Sequence, residues 1–206
     1  MKIKALFCSL FSLLITLNIV SAQTPDNVVE DFEKELLEKS LSINTITCDF
    51  VQTRSMSILA EDVQEKGRFY YSRPEKILLS FEDGDFIKMT ESVFQMKDRG
   101  NVSEVKVSSN PMLASLRNLL SSCMTGDIKQ MTKGFQADIS LDNDQYTVNL
   151  VPLRRSAASR MGKMVMVFDR KDMSLSLLKM VESSGDYTQY EFSGKEFNKA
   201  LDPDIF

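Results

Sequence analysis

Residues 43–53 read Ile43-Asn44-Thr45-Ile46-Thr47-Cys48-Asp49-Phe50-Val51-Gln52-Thr53. Ile46, Cys48 and Phe50 alternate with Thr45, Thr47 and Asp49, a period of two that belongs to a half-buried β-strand. Immediately upstream the period is different. Val28, Val29, Phe32, Leu36, Ser40 and Ile43 recur at helical spacing, and Glu30, Asp31, Glu33, Lys34, Glu35, Glu38 and Lys39 fill the other face. Thr24-Pro25-Asp26 opens this segment with a capping hydroxyl and a proline at the first helical position. An amphipathic helix therefore gives way to a strand near Ile43. Its polar face is acidic rather than basic, so the apolar stripe is expected to pack on the rest of the domain and not on a membrane surface.

Downstream the period stays at two. Short strands are expected over 68–72, 76–81, 85–90 and 92–97, separated by Arg73-Pro74, Asp83-Gly84 and Arg99-Gly100-Asn101, and Val102, Val105 and Val107 mark another. One helix interrupts them, with Asn110 as cap, Pro111 in the first turn, an apolar face of Met112, Leu113, Leu116, Leu119, Leu120 and Cys123, and Gly126 as the stop. Strands resume over 135–141, 145–152, 163–170, 175–182 and 186–193. About ten strands with a single helix among them imply an antiparallel meander.

The amino terminus has a different character. Lys2 and Lys4 precede an apolar stretch from Ala5 to Val20, and Val20-Ser21-Ala22 fits the small-residue cleavage pattern of a secretory signal. Cleavage is expected after Ala22. Cys8 lies inside the signal and Gln23 would follow the cut, so no cysteine is positioned for lipid modification. Removing 22 of the 206 residues, two of the 25 basic ones among them, leaves 184 with 23 basic against 29 acidic residues, a net charge of −6. Residues 23–206 then read as one domain, a soluble monomer exported to the periplasm. Cys48 and Cys123 remain, either as a disulfide in an oxidising compartment or as two buried thiols.

Composition narrows the chemistry. The chain has no His, which removes Ser-His-Asp and Cys-His catalysis and His-containing metal sites. No catalytic residue, cofactor or metal site is expected, and the acidic balance speaks against nucleic acid. Paired carboxylates are the remaining enzymatic option, with Glu61, Asp62 and Glu65, or Asp83 and Asp85, available, all in turn-like, solvated stretches. Arg154 to Arg160 form the one compact basic loop, suited to an anionic head group or an acidic partner.

A sheet that curls without closing leaves one concave face whose inward side chains make an apolar cavity that a helix can plug. Alternation assigns to that face Ile46, Cys48, Phe50, Phe69, Tyr71, Ile77, Leu79, Phe81, Met89, Phe94, Met96, Met164, Met166, Phe168, Leu175 and Leu177. Twelve methionines suit a surface that adapts its shape.

Several of these stretches, in order, resemble the LolA family of periplasmic lipoprotein carriers: the short N-terminal helix, the strand Ile46 to Thr53, and Gly67-Arg68-Phe69-Tyr70-Tyr71-Ser72-Arg73-Pro74-Glu75-Lys76. The end is similar too, with Ser184-Gly185-Asp186-Tyr187-Thr188-Gln189-Tyr190-Glu191-Phe192, Asn198 and Asp202-Pro203-Asp204-Ile205-Phe206. The chain departs from the family pattern in having no Trp, and Tyr70, Ile77 and Phe94 stand where aromatic or bulkier residues are usual. The resemblance implies a mainly β (α+β) fold: an incomplete, strongly curved antiparallel β-barrel, with an α-helical lid over a hydrophobic cavity that takes lipoprotein acyl chains. It implies an inner-membrane ABC lipoprotein-release transporter as donor, an outer-membrane acceptor, and no chemistry. The family's inward arginine corresponds to Arg73, expected to latch the lid by bonding helix carbonyls, with Met112, Leu113, Leu116 and Leu120 as lid residues. A carrier of another lipid or glycolipid and an envelope-stress sensor of the same fold are the alternatives.

Overall fold

The computed structural model describes residues 25–106, 111–153 and 161–206, with backbone alone for 25, 26 and 111–116. The proposed signal segment, Thr24, Val107, Asn110 and the basic loop Arg154 to Arg160 lie outside these residues.

The chain runs α1 (Pro25–Leu41), β1 (Thr45–Ser55), β2 (Val63–Ser72), β3 (Lys76–Phe81), β4 (Phe86–Met89), β5 (Val93–Asp98) and β6 (Asn101–Lys106). It continues through α2 (Pro111–Thr125), α3 (Ile128–Met131), β7 (Phe135–Asp142), β8 (Gln145–Pro152), β9 (Met161–Asp169), β10 (Ser174–Glu182) and β11 (Tyr187–Phe197). All eleven strands form one sheet in the order β6-β5-β4-β3-β2-β1-β11-β10-β9-β8-β7. Every pairing is antiparallel, and β1 lies between β2 and β11, which closes the two meanders onto each other. β6 and β7 are left as edges, so the sheet does not become a barrel.

Its curvature follows from what α2 touches. Ser121 meets Glu75, in the turn between β2 and β3, and Cys123 meets Met166 on β9. On a flat sheet those places lie four strand spacings or more apart, about 19 Å. One helix about 10 Å across, with two residues only two positions apart, reaches both. The sheet therefore wraps around α2.

Gly126 ends α2 with φ +76°, and a Cβ there would stand 2.7 Å from the Leu37 Cα. Glycine thus stops α2 and allows the backbones of α1 and α2 to meet. Asp127 then caps α3, its carboxylate accepting from the Gln130 N–H at 3.0 Å. This four-residue helix is too short to show in the hydrophobic periodicity, yet it buries Ile128 and Met131.

Alternation places the strands in the expected order, although β11 runs to Phe197, four residues past its expected end, and β2 and β10 differ more substantially. β2 begins at Val63, five residues before the apolar alternation at Arg68, because Val63 to Gly67 pair with β1 through a polar stretch. In β10 a register shift between Leu175 and Leu177 inserts Ser176 as an extra residue and reverses the parity. Leu178, opposite Met166 and Tyr190, faces inward in place of Leu177. The assignment of Leu177 to the concave face is corrected accordingly, since Leu177 pairs with outward-facing Glu191 and Val167.

Candidate functional site

The concave face is apolar across its middle. Ile46, Cys48, Phe50, Phe69, Tyr71, Ile77 and Met89 on one side, and Met164, Met166, Phe168 and Leu175 on the other, are all buried in one cluster. Leu79, Phe81 and Phe94 pack against it while part-exposed. Met96 remains 38% exposed. The cluster also contains residues that inward alternation in β8 and β11 marks: Tyr146, Val148, Leu150 and Tyr190, with Phe192 packed alongside. Their signal is present in the sequence, because 145–152 alternates as strictly as β1.

Glycine shapes the centre of the face. Gly67 lies opposite Phe50 and Phe81, and a Cβ on it would stand 2.6 Å from the Phe50 ring. Its bare backbone lets Phe50 lean across β2 and meet Phe81 edge-on at 5.2 Å. Tyr190 follows at 6.0 Å from Phe50, and Phe69 meets Phe192 at 5.4 Å.

The helices fill the hollow. From α1, Phe32 wedges between Tyr146 at 5.0 Å and Phe168 at 5.2 Å, and Leu36 is buried beneath it. From α2, Leu119 and Cys123 are buried, and Leu120 packs on the cluster. The Cys123 Sγ lies 3.5 Å from the Met166 Sδ and 3.8 Å from that of Met131. Side chains of the other expected lid residues, Met112, Leu113 and Leu116, are outside the described set. Where α1, α2, β1 and β10 meet, the enclosed space is about 20 Å³, bounded by residues including Leu36, Ile43, Ile46 and Leu175. That volume suits one water molecule and not an acyl chain. Access to this part of the face therefore requires the helices to move.

One turn fastens both helices. Arg73 donates through Nε to the Ile43 carbonyl at 3.0 Å and through Nη2 to the Ser40 carbonyl at 2.5 Å. The latch expected of Arg73 thus grips the carboxyl end of α1, whereas the lid residues assigned to it stand on α2. Two residues on, Glu75 forms an ion pair with Arg117 of α2 at 3.3 Å, and Arg117 also donates to the Glu91 carbonyl at 2.7 Å. The helices are joined to each other by the Ser40 hydroxyl, 2.8 Å from the Thr125 carbonyl. Arg170 ties the middle of α1 to the β9–β10 turn through Glu35 at 2.7 Å.

Burial pushes the thiols of Cys48 and Cys123 up to about 12. Both are free. They behave as small apolar core groups, with no thiolate available for chemistry at neutral pH. The carboxylates considered for catalysis have local work: Glu65 accepts from Gln52 and Arg54, Asp62 from the Tyr187 hydroxyl, Asp83 from the Asp85 N–H, and Asp85 from the Arg99 N–H.

The model of the outer membrane lipoprotein carrier protein LolA matches residues 41–206. This chain is a member of the LolA family. Among solved structures, MucB resembles this LolA-family chain with a TM-score of 0.50 and 12% identity, over 87% of this chain and 62% of that one. The Mycobacterium tuberculosis lipoprotein LppX gives a TM-score of 0.43 and 11% identity, over 87% of this chain and all (100%) of the other. A LolA superfamily protein from Nitrosomonas europaea gives 0.38 and 10%, over 82% and 94%. At such identities these likenesses speak of fold alone. No characterised protein matches in sequence. LolA-family members are carrier and binding proteins. Among the described residues, no helix is long and apolar enough to cross a membrane.

Proposed function

We propose that residues 23–206 form a single carrier domain, released into the periplasm by cleavage after Ala22, which takes lipoprotein acyl chains onto the concave face. It would collect them from an inner-membrane ABC lipoprotein-release transporter and deliver them to an outer-membrane acceptor, working as a monomer and without chemistry. The observation that carries this reading is an apolar face filled by the carrier's own helices, with Arg73 holding α1 by two carbonyls.

The energetics suit delivery. Each buried methylene contributes about 0.8 kcal/mol, so several long chains could release more than the practical ceiling of noncovalent affinity. When Phe32, Leu36 and Leu119 must first leave the same surface, net affinity becomes a difference between two occupants. Cargo is then held firmly enough to travel and loosely enough to be unloaded.

Mass spectrometry of what copurifies with the protein from the periplasm tests the proposal. Triacylated lipoprotein supports it. A glycolipid or another lipid in its place would move the cargo to a different class, and a stoichiometric protein without acyl chains would favour an interaction protein. MucB, whose fold is similar, has been crystallised with MucA.

A further inference from the structure

The concave face changes character at the β1–β2 hairpin end. The register puts Gln52 opposite Glu65 on β2 and Tyr190 on β11, and Arg54 two residues further on the same face. These inward positions continue the row of Ile46, Cys48 and Phe50, yet they carry an amide and two opposite charges. Gln52 is 4% exposed. Its Nε2 donates to the Glu65 Oε2 at 2.9 Å, and the Arg54 Nη2 donates to the same oxygen at 2.8 Å.

The bonding is incomplete in a specific way. Both bonds converge on one carboxylate oxygen of Glu65, whose side chain is 32% exposed. The Arg54 Nε is buried without a partner. Leaving a buried guanidinium N–H unpaired is unfavourable. An unpaired donor on Arg54 and a part-exposed Glu65 carboxylate therefore stand side by side one pair beyond Phe50, beside the row in which Gln52 faces Tyr190.

Just beyond them the hairpin tip presents Met56, Ile58 and Leu59 to solvent, Ile58 at 87% exposure. The tip is nonetheless held in place. The Ser57 N–H donates to Asp186 at 2.8 Å, and the Leu59 N–H to the Met56 carbonyl at 2.8 Å. Inward of the exposed tip, the charged pair is followed by an aromatic floor, the order of head group and chain in an amphiphile.

We propose that this hairpin end is a mouth of the concave face, and that Arg54 and Glu65 bind the head group of a zwitterionic phospholipid whose chains lie on the apolar face. Arg54 takes the phosphate with its unpaired donor, and Glu65 takes the ammonium. A head group with a single charge would meet a like charge 2.8 Å from its partner, which is why the zwitterion fits best. The inference rests on the carrier reading and adds a lipid class and an entry point to it.

Native mass spectrometry tests it. The protein is incubated with phosphatidylethanolamine, phosphatidylglycerol or diacylglycerol of identical chains, and adducts are counted for wild type, Arg54→Met, Arg54→Lys and Glu65→Gln, with circular dichroism melts showing which variants fold. The expected result is a preference of about tenfold for phosphatidylethanolamine over diacylglycerol, the order of one charge-assisted pair. Arg54→Met should abolish it without changing diacylglycerol uptake, and Arg54→Lys should keep part of it. Glu65→Gln should remove the advantage over phosphatidylglycerol. Equal uptake of all three lipids by wild type, or an unchanged preference in the folded variants, overturns the head-group site and leaves the carrier reading standing. No uptake of any of the three lipids overturns the head-group site as well, whereas the carrier reading falls only if no acylated cargo copurifies.

Discussion

The two wings of the sheet carry the same alternating pattern and meet different fates. In β8 and β9 every second residue, from Tyr146 through Leu150 and from Met164 through Phe168, is fully enclosed. In β5 and β6 the pattern Phe94, Met96 and Val105 also points to the concave side, yet Met96 and Val105 stay open to solvent and all six residues of β6 are exposed. The difference is the cover. α1 lies over β8 and β9 through Phe32, while the described anchor of α2 near the other wing is Arg117 on the Glu91 carbonyl. Alternation gives a strand an apolar face, and only a second layer turns that face into core.

The largest effect should therefore come from the covered wing. Phe32→Ala removes the ring between Tyr146 and Phe168 and is expected to cost about 3–5 kcal/mol in urea denaturation. Met96→Ser, at an equally alternating position of the bare wing, should stay within about 0.5 kcal/mol. Comparable costs at the two sites would abolish the distinction between wings.

The bulge in β10 sharpens the comparison within one strand. Leu178→Ala should destabilise by about 2–5 kcal/mol and Leu177→Ala by less than about 1 kcal/mol, measured the same way. The reverse order would restore the uninterrupted alternation that the bulge breaks.

Arg73→Leu is next. It leaves the Ser40 and Ile43 carbonyls without their guanidinium donor and should cost about 1–3 kcal/mol. The sharper readout is alkylation of Cys123, followed on its own peptide. Freed helices should expose it several-fold faster than the measured loss of global stability predicts, whereas a merely structural arginine would raise the rate only in proportion to that loss.

The smallest effect is one of pH. Cys48 and Cys123 keep their protons in the folded protein up to about 12, while in the unfolded chain they titrate near the ordinary value of 9.0. Their contribution is complete below that value and is lost as pH rises above it, because the unfolded state then releases protons that the folded state holds. The urea midpoint should fall between about pH 8 and pH 10, with a smaller part of the fall coming from Tyr146 and Tyr190, which burial also raises to about 12, and Cys48→Ala with Cys123→Ala should reduce it.

Much of this was legible in the sequence because it is local. The change of period near Ile43, the strand Ile46 to Phe50, the proline opening of α2 and its glycine stop all depend on neighbours within a few residues. The bulge at Ser176 was not, since an inserted residue shows only in the register of the partner strand. The target of Arg73 was hidden for a similar reason: whether it holds α1 or α2 is decided by which helix end the curved sheet brings to the β2–β3 turn. The inward charges Arg54 and Glu65 sat in a polar stretch that reads as the end of a strand, and Val63 to Gly67 pair there all the same.

The central claim is that cargo and helices compete for one apolar face. Hydrogen–deuterium exchange of α1 and α2, with and without a bound triacylated peptide, measures this directly. Loading should raise exchange in residues 25–41 and 117–125 while the strands β8 and β9 remain protected. Unchanged protection of both helices in the loaded protein would contradict the account, because the chains would then lie somewhere other than the face these helices fill.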